Sequence, residues 1–312
     1  MRYRRLGDSG LKVSVVGLGS WLTYGNAVEE ERAQECVRAA LEAGINFFDT
    51  ADVYAKGEAE RCLGRLLAGV RREHVVLATK AFWPMSDDVN DRGLSRKHLL
   101  EACAASLKRL GTDYVDLYQC HCHDPDSPMA EVVRAMDDLI RQGKVLYWGV
   151  SNWDAEQIRA AVECARSLGA PPPISNQPPY NLLQREIEEQ VVPTSLELGL
   201  GQVAYSPLAQ GLLTGKYRHG EVPAESRLAN DRLNRWMHAR MTPENLARID
   251  ALAKVASEAD LGLTRMSLAW CLAQPGIASV IVGATRAEQV RQNAQAAELE
   301  LGADVLAAIA QA

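Results

Sequence analysis

The 312-residue sequence contains no uninterrupted apolar run near the ~18 residues that a membrane-crossing helix needs, so insertion by helices is not expected. Excess positive charge is also missing. The chain has 34 Lys and Arg against 40 Asp and Glu, a net charge of −6, where a nucleic-acid surface carries a basic patch. A disulfide framework is absent as well: the seven cysteines, odd in number and scattered from Cys36 to Cys271, read as reduced core residues. The opening MRYRRLGDSG is basic but has no apolar stretch behind it, so no secretory signal is expected and the chain reads as cytoplasmic. There is no Pro/Gly/Ser-rich linker and no low-complexity tract, and one domain spanning residues 1–312 is the economical expectation. What is present, 47% hydrophobic and 24% charged residues, is the balance of an ordinary globular enzyme.

Two short alternating runs around Gly7-Asp8-Ser9-Gly10 predict a β-hairpin ahead of the main fold. Short β-rich runs then alternate with segments of helical spacing. The runs are NFFDT (46–50), VVLATK (75–80), VDLYQCH (115–121), VLYWGVS (145–151), GQVAYS (201–206) and SVIVGA (279–284). Residues 16–20 form a first strand, and 174–177 are a weaker member. Among the helical segments, Leu100, Cys103, Leu107 and Leu110 repeat at three- and four-residue steps after Ser95, a good N-cap. Strand–helix alternation implies parallel pairing, because each crossover needs its own helix. About eight units favour a closed (β/α)8 TIM barrel, with the N-terminal β-hairpin and an additional C-terminal helix, over an open doubly wound sheet. The open sheet's dinucleotide fingerprint also fails, since Gly17-Leu18-Gly19-Ser20-Trp21-Leu22 has no third glycine. Nor does any Tyr stand four residues before a Lys, as in short-chain dehydrogenases.

A barrel of this kind carries its reactive groups at the C-terminal ends of strands. Asp49 closes the NFFDT run with Tyr54 just beyond, Lys80 closes VVLATK, and His121 closes VDLYQCH. Ser151 and Asn152 follow VLYWGV, Gln177 ends the weak strand, and Tyr205-Ser206 end GQVAYS. Four different titratable types on three consecutive strand ends suit one chemistry. A tyrosine of ordinary pKa ~10 is a weak acid alone, but an adjacent ammonium such as Lys80 stabilises its phenolate. Asp49 would hold that ammonium, and His121 would either donate to a substrate oxygen or share the proton with Tyr54. Such a set polarises and protonates a carbonyl oxygen while a cofactor delivers hydride, which no side chain can do.

The segments NFFDTADVY, ATK, VDLYQCHCHDPDSP, GVSN, NQPPYN, AYSPLAQGLLTGKY and GATRAEQVRQN closely resemble, in order, the successive motifs of the aldo-keto reductase superfamily. RGLSRKHLLEA, MAEVVRAM and VLYWGVSNW are particularly similar to the branch containing the β subunits of voltage-gated potassium channels and their bacterial relatives. The resemblance implies a catalytic tetrad of Asp49, Tyr54, Lys80 and His121, with Tyr54 as general acid. It implies NADP(H) as cofactor, its carboxamide bonded by Ser151, Asn152 and Gln177 and its ring stacked on Tyr205. Gly19, Ser20 and Trp21 fall where the first strand meets cofactor and substrate. Ser206, Pro207, Leu208 and Gly211 lie in the loop over the pyrophosphate. Lys216 and Arg227 match residues near the adenosine 2′-phosphate, and Arg286 opens the last helix after Gly283. A dianionic phosphate there would gain from the helix N-terminus and from charge-assisted bonds. Thr285, Gln289, Gln292 and Asn293 take the adenosine contacts, although the family usually has Glu where this chain has Gln292. The channel subunits carry Asn at the position of His121. With His, this chain is similar to the catalytically competent majority.

Plainer readings cover the remaining features. Cys120-His121-Cys122-His123 alternates across a strand, so its ligands would not converge on a metal, and His123 reads as a loop histidine. Trp83 and Trp236 fall in top loops, where they suit a substrate mouth and ordinary packing equally. Glu29-Glu30-Glu31 reads as a solvated helix start, and Gly57, Gly64 and Gly111 as turn or packing glycines. Three functions are weighed. The first is NADPH-dependent reduction of a small-molecule aldehyde or ketone. The second is an NADPH-binding auxiliary or redox-sensing subunit, motivated by the channel-subunit resemblance. The third is a hydrolytic barrel, which needs two strand-end carboxylates where only Asp49 qualifies. Relatives in the channel-subunit branch often assemble as tetramers, so the resemblance allows a homo-oligomer while the sequence leaves the oligomeric state open.

Overall fold

The computed structural model describes the whole chain apart from residues 22–23, 25–29, 219–221, 224–225, 230–233, 235–236 and 238–239. A two-stranded antiparallel hairpin, β1 (Tyr3–Arg5) and β2 (Lys12–Ser14), precedes a closed barrel. The barrel strands are β3 (Val16–Gly19), β4 (Phe47–Asp49), β5 (Val76–Ala81), β6 (Val115–Cys120), β7 (Val145–Ser151), β8 (Ser175–Gln177), β9 (Gly201–Tyr205) and β10 (Ile277–Val282). Each pairs parallel with its neighbours, and β10 returns to β3 to close the ring. The last strand begins two residues before the expected run at 279, since Ile277 already pairs with Gln202.

Helices α1 (Glu30–Glu42), α2 (Glu58–Leu67), α3 (Arg96–Leu110), α4 (Met129–Arg141), α5 (Ala155–Leu168) and α6 (Val191–Leu198) supply the early crossovers. Two further helices, α7 (Pro243–Glu258) and α8 (Leu263–Ala273), both lie between β9 and β10. The chain closes with α9 (Ala287–Gln295) and the additional C-terminal helix α10 (Ala303–Gln311). Local chemistry sets their ends. Ser95 Oγ accepts from the His98 N–H to start α3, which stops at Gly111 in the left-handed region. Asp154 and Gln157 form a reciprocal capping box on α5. Thr242 caps α7, with Pro243 at its first position. Glu30 and Glu31 occupy the first turn of α1, as read from the sequence, whereas Glu29 lies outside the described residues. Gly64 has a packing role: a Cβ there would lie 2.5 Å from the Leu110 carbonyl oxygen, so α2 crosses α3 at backbone contact.

The barrel interior is layered. Phe47, Val76, Ala78, Leu117, Val203 and Ile281 form an apolar floor, sealed from below by Leu6 and Val13 of the hairpin segment. Strand alternation then fixes what stands above it. Two residues beyond Phe47, Ala78 and Leu117 come Asp49, Lys80 and Gln119, so the apolar column gives way to a polar layer near the C-terminal rim. No helix among the described residues is long and apolar enough to cross a membrane.

Candidate active site

Lys80 is fully buried at the end of β5, with its ammonium held on three sides. Nζ donates to Asp49 Oδ1 at 2.6 Å, to the Thr50 carbonyl at 2.8 Å and to Tyr54 Oη at 3.4 Å. Such a charge is tolerable in a core only when paired and hydrogen-bonded. The second carboxylate oxygen of Asp49 accepts from Gln177 Nε2 at 2.9 Å and from Gln119 Nε2 at 3.3 Å. Because β4 and β8 are not neighbours in the sheet, the Gln177–Asp49 bond spans the barrel interior. Asp49, Tyr54 and Lys80 therefore meet at one point, as the strand-end argument expects. Thr50 and Gln119 also belong to this network but were not singled out from sequence. Gln119 was detectable as the residue two before His121, on the same face of the strand.

Tyr54 sits in a tight turn after β4, followed by Ala55 and Lys56 in the left-handed region at φ 50° and 52°. Lys56 Nζ donates to the carbonyls of Pro84 at 2.6 Å and Met85 at 3.4 Å, tying this turn to the loop that carries Trp83. His121 packs edge-on to Tyr54, with ring centroids 5.8 Å apart, and its Nδ1 is buried without a partner. Trp83, 43% exposed, stands edge-on to His121 at 6.4 Å and to Phe82 at 5.0 Å, setting aromatic rings beside the site. Trp236 lies outside the described residues.

Burial drives the titration behaviour of the site. It holds the His121 imidazole well below its ordinary range, with the Lys80 charge adding to the effect, so the ring is neutral at physiological pH. Burial also raises the Tyr54 phenol well above its ordinary value, Asp49 and Asp52 pushing in the same direction. The lowering anticipated from Lys80 is thus outweighed. Its charge is spent largely on Asp49, at the shorter distance, and the phenol keeps its proton.

A second group of polar residues lies at the ends of β7, β8 and β9. Ser151 Oγ donates to the Gln177 carbonyl at 2.8 Å. Asn152, left-handed at φ 59°, donates through Nδ2 to the His121 carbonyl at 3.2 Å and accepts from Tyr205 Oη at 3.0 Å. Burial pushes the Tyr205 phenol up to about 12. Ser206, Ala209 and Gln210 are also left-handed non-glycines, and Gly211 has φ 106°. Strained backbone is therefore gathered at the rim beside Tyr54, where functional sites commonly hold it. Buried Asn181 braces this loop by donating to the Ser206 carbonyl at 3.1 Å. Ser20 adjoins the same layer, its hydroxyl donating to Thr50 Oγ1 at 2.8 Å, and Gly19 and Trp21 flank it.

The remaining expected positions stand further along the rim. Pro207 and Leu208 continue the loop after β9, and exposed Lys216 places Nζ 5.1 Å from the centre of the Tyr217 ring. Arg227 falls in a short turn, Arg227–Ala229, but its side chain lies outside the described residues. Gly283, Thr285 and Arg286 are exposed at the start of α9, whose N-cap position is Arg286. Gln289 Oε1 accepts from the Thr285 N–H at 2.8 Å, Gln292 donates to Glu288 at 3.0 Å, and Asn293 is buried. No group of three or more His, Cys, Asp or Glu among the described residues is placed to hold a metal. His123 instead packs edge-on against Trp153 at 5.0 Å.

This arrangement can do a definite kind of chemistry. A protonated phenol next to an anchored ammonium and a neutral imidazole can donate to an oxygen that gains negative charge. The amides and hydroxyls at the ends of β7 and β8 suit a planar carboxamide, and Tyr205 offers a ring face. The buried, unpartnered Nδ1 of His121 fits a site that accepts a further polar group. In a comparison with known proteins, the model of the Aldo/keto reductase family matches residues 15–312. Two curated proteins named "Probable voltage-gated potassium channel subunit beta" are similar. The one from Oryza sativa subsp. japonica is 42% identical over 302 residues, covering 96% of this chain and 92% of its own length. The one from Arabidopsis thaliana is 41% identical with the same coverage.

Proposed function

Since the chain belongs to the aldo/keto reductase family, we propose that it is an NADPH-dependent oxidoreductase that reduces an aldehyde or ketone to an alcohol. The single observation carrying this reading is the buried Asp49–Lys80–Tyr54 chain, with bonds of 2.6 and 3.4 Å, opening beside neutral His121. In this reading the whole chain serves as one catalytic domain, and its substrate is a small carbonyl compound.

Bound reduced nicotinamide supplies the hydride. The protein's residues handle the oxygen. The substrate carbonyl lies between Tyr54 and His121, and the His121 ring orients it by donating a hydrogen bond. As the carbon gains hydride, the carbonyl π pair moves to the oxygen, which takes the Tyr54 hydroxyl proton. The tyrosinate left behind is stabilised by the Lys80 ammonium, which Asp49 holds in register, and Tyr54 is then reprotonated from solvent. Ser151, Asn152 and Gln177 hold the carboxamide, and Tyr205 supports the ring. Gly19, Ser20 and Trp21 border the reacting end. Ser206 to Leu208 and Gly211 cover the pyrophosphate. Lys216, Arg227 and Arg286 favour a 2′-phosphate, with Gly283, Thr285, Gln289, Gln292 and Asn293 around the adenosine. Fluorescence titration tests the cofactor choice: NADPH should bind at least tenfold more tightly than NADH, and Lys216→Ala should narrow that gap. Equal binding would remove these cations from the account and leave the tetrad standing.

A second reading is favoured by the names of the relatives: an NADPH-binding auxiliary subunit that reports redox state to a partner. Tight NADPH binding without carbonyl-dependent oxidation would select it.

A further inference from the structure

Gln119 is buried in the polar layer of the barrel, two residues beyond Leu117 of the apolar floor. An amide taken into such a place costs free energy unless both its ends are bonded. Both ends are. Nε2 donates to Asp49 Oδ2 at 3.3 Å, and Oε1 accepts from Gln177 Nε2 at 3.4 Å. Gln177 Nε2 also reaches Asp49 Oδ2, at 2.9 Å, so the three side chains close a triangle. Its effect is directional. With Nε2 of Gln177 pinned on Asp49 and Gln119, Oε1 of Gln177 is left to accept from a cofactor's amide. The opposite oxygen of Asp49 holds Lys80, and Lys80 reaches Tyr54.

We infer that Gln119 is a positioning residue that joins the nicotinamide-amide site at Gln177 to the proton donor Tyr54, orienting Gln177 for the cofactor and Asp49 for Lys80. This rests on the cofactor site proposed above. Gln119 touches neither the cofactor amide nor the reacting oxygen, and acts through Gln177 and Asp49. Its removal weakens cofactor binding by freeing the Gln177 amide, and slows turnover by loosening Asp49.

The test uses the full chain and NADPH as the probe. Gln119→Met and Gln119→Leu remove both bonds with different apolar shapes, which separates a packing defect in one variant from the bond loss common to both. Both should raise the NADPH dissociation constant roughly fivefold, the worth of about one net hydrogen bond. Both should lower kcat, with little change in KM for the carbonyl substrate. In a Gln177→Ala background, Gln119→Met should have no further effect on NADPH binding, because the group it orients is gone. A purely structural role would add its cost in either background. Variants that bind NADPH within twofold of wild type, or additive effects in the cycle, would overturn the inference while leaving the reductase reading intact. A wild-type protein that binds no NADPH would overturn both.

Discussion

Lys80 shows most directly how a single residue ties stability to chemistry. It neutralises Asp49 in a site that solvent does not reach, and it faces the phenol that the proposed reaction deprotonates. Lys80→Met keeps the length of the side chain and removes the charge. It should cost about 3–5 kcal/mol of stability, because Asp49 is left buried without its cation. Turnover should fall by roughly 10²–10⁴. Denaturant melts and steady-state rates check the two halves separately. Asp52 offers a second test. It is 0% exposed, and neither carboxylate oxygen makes a hydrogen bond of ordinary geometry. Burial and then Glu60 push it up to about 8, with Asp91 adding slightly, while the Val53 N–H and Arg109 offset only part of the rise. An unfolded Asp titrates near ~3.9. Between these values the native state keeps a proton that the unfolded state has lost, so stability falls as pH rises through this window and levels off above about 8. Asp52→Asn has no such proton. Its stability relative to wild type should therefore climb between pH 5 and pH 8, and a constant difference across denaturant melts would contradict the assignment.

Among the elements, the contact between α2 and α3 is the most sharply constrained. Gly64→Ala drives a Cβ to 2.5 Å from the Leu110 oxygen, a backbone atom that cannot rotate away. It should destabilise by about 1–3 kcal/mol, as overpacking does. Gly69→Ala meets nothing within 4 Å and should change stability by less than about 1 kcal/mol, which makes it the matched control. Asp154→Ala should remove the α5 capping box and cost about 1 kcal/mol. The elements were also the most legible part of the sequence. The short β-rich runs and the Ser95 cap signal reappear as strands and a helix start, whereas the Asp154 and Thr242 caps are seen only in the structure. What local pattern hides is register and insertion. The first residue of β10 is set by pairing with Gln202, and the two helices α7 and α8 occupy a crossover where one would suffice.

For the molecule as a whole, the barrel puts an apolar floor beneath a polar layer and opens that layer on the strained rim. Asp49, Lys80 and His121 were legible because strand ends are the positions a parallel barrel devotes to chemistry. Gln119 was not singled out, since standing two residues before His121 gives it a face but no role until the bond from Gln177 to Asp49 is seen crossing the interior. The high phenol of Tyr54 was hidden for a similar reason: burial is a property of the packed barrel, and the motif shows only the neighbouring lysine. The chemistry proposed for this constellation is delivery of a proton to a carbonyl oxygen as the carbon takes up hydride. Its most direct test is a single-turnover reaction of enzyme with NADPH deuterated at the transferable position of the nicotinamide and an activated aromatic aldehyde. The product should be an alcohol carrying one deuterium on the carbinol carbon, with no such product from Tyr54→Phe, which should still bind NADPH. A wild-type protein that binds the labelled cofactor and returns it unreacted, with this and other carbonyl compounds, would contradict it.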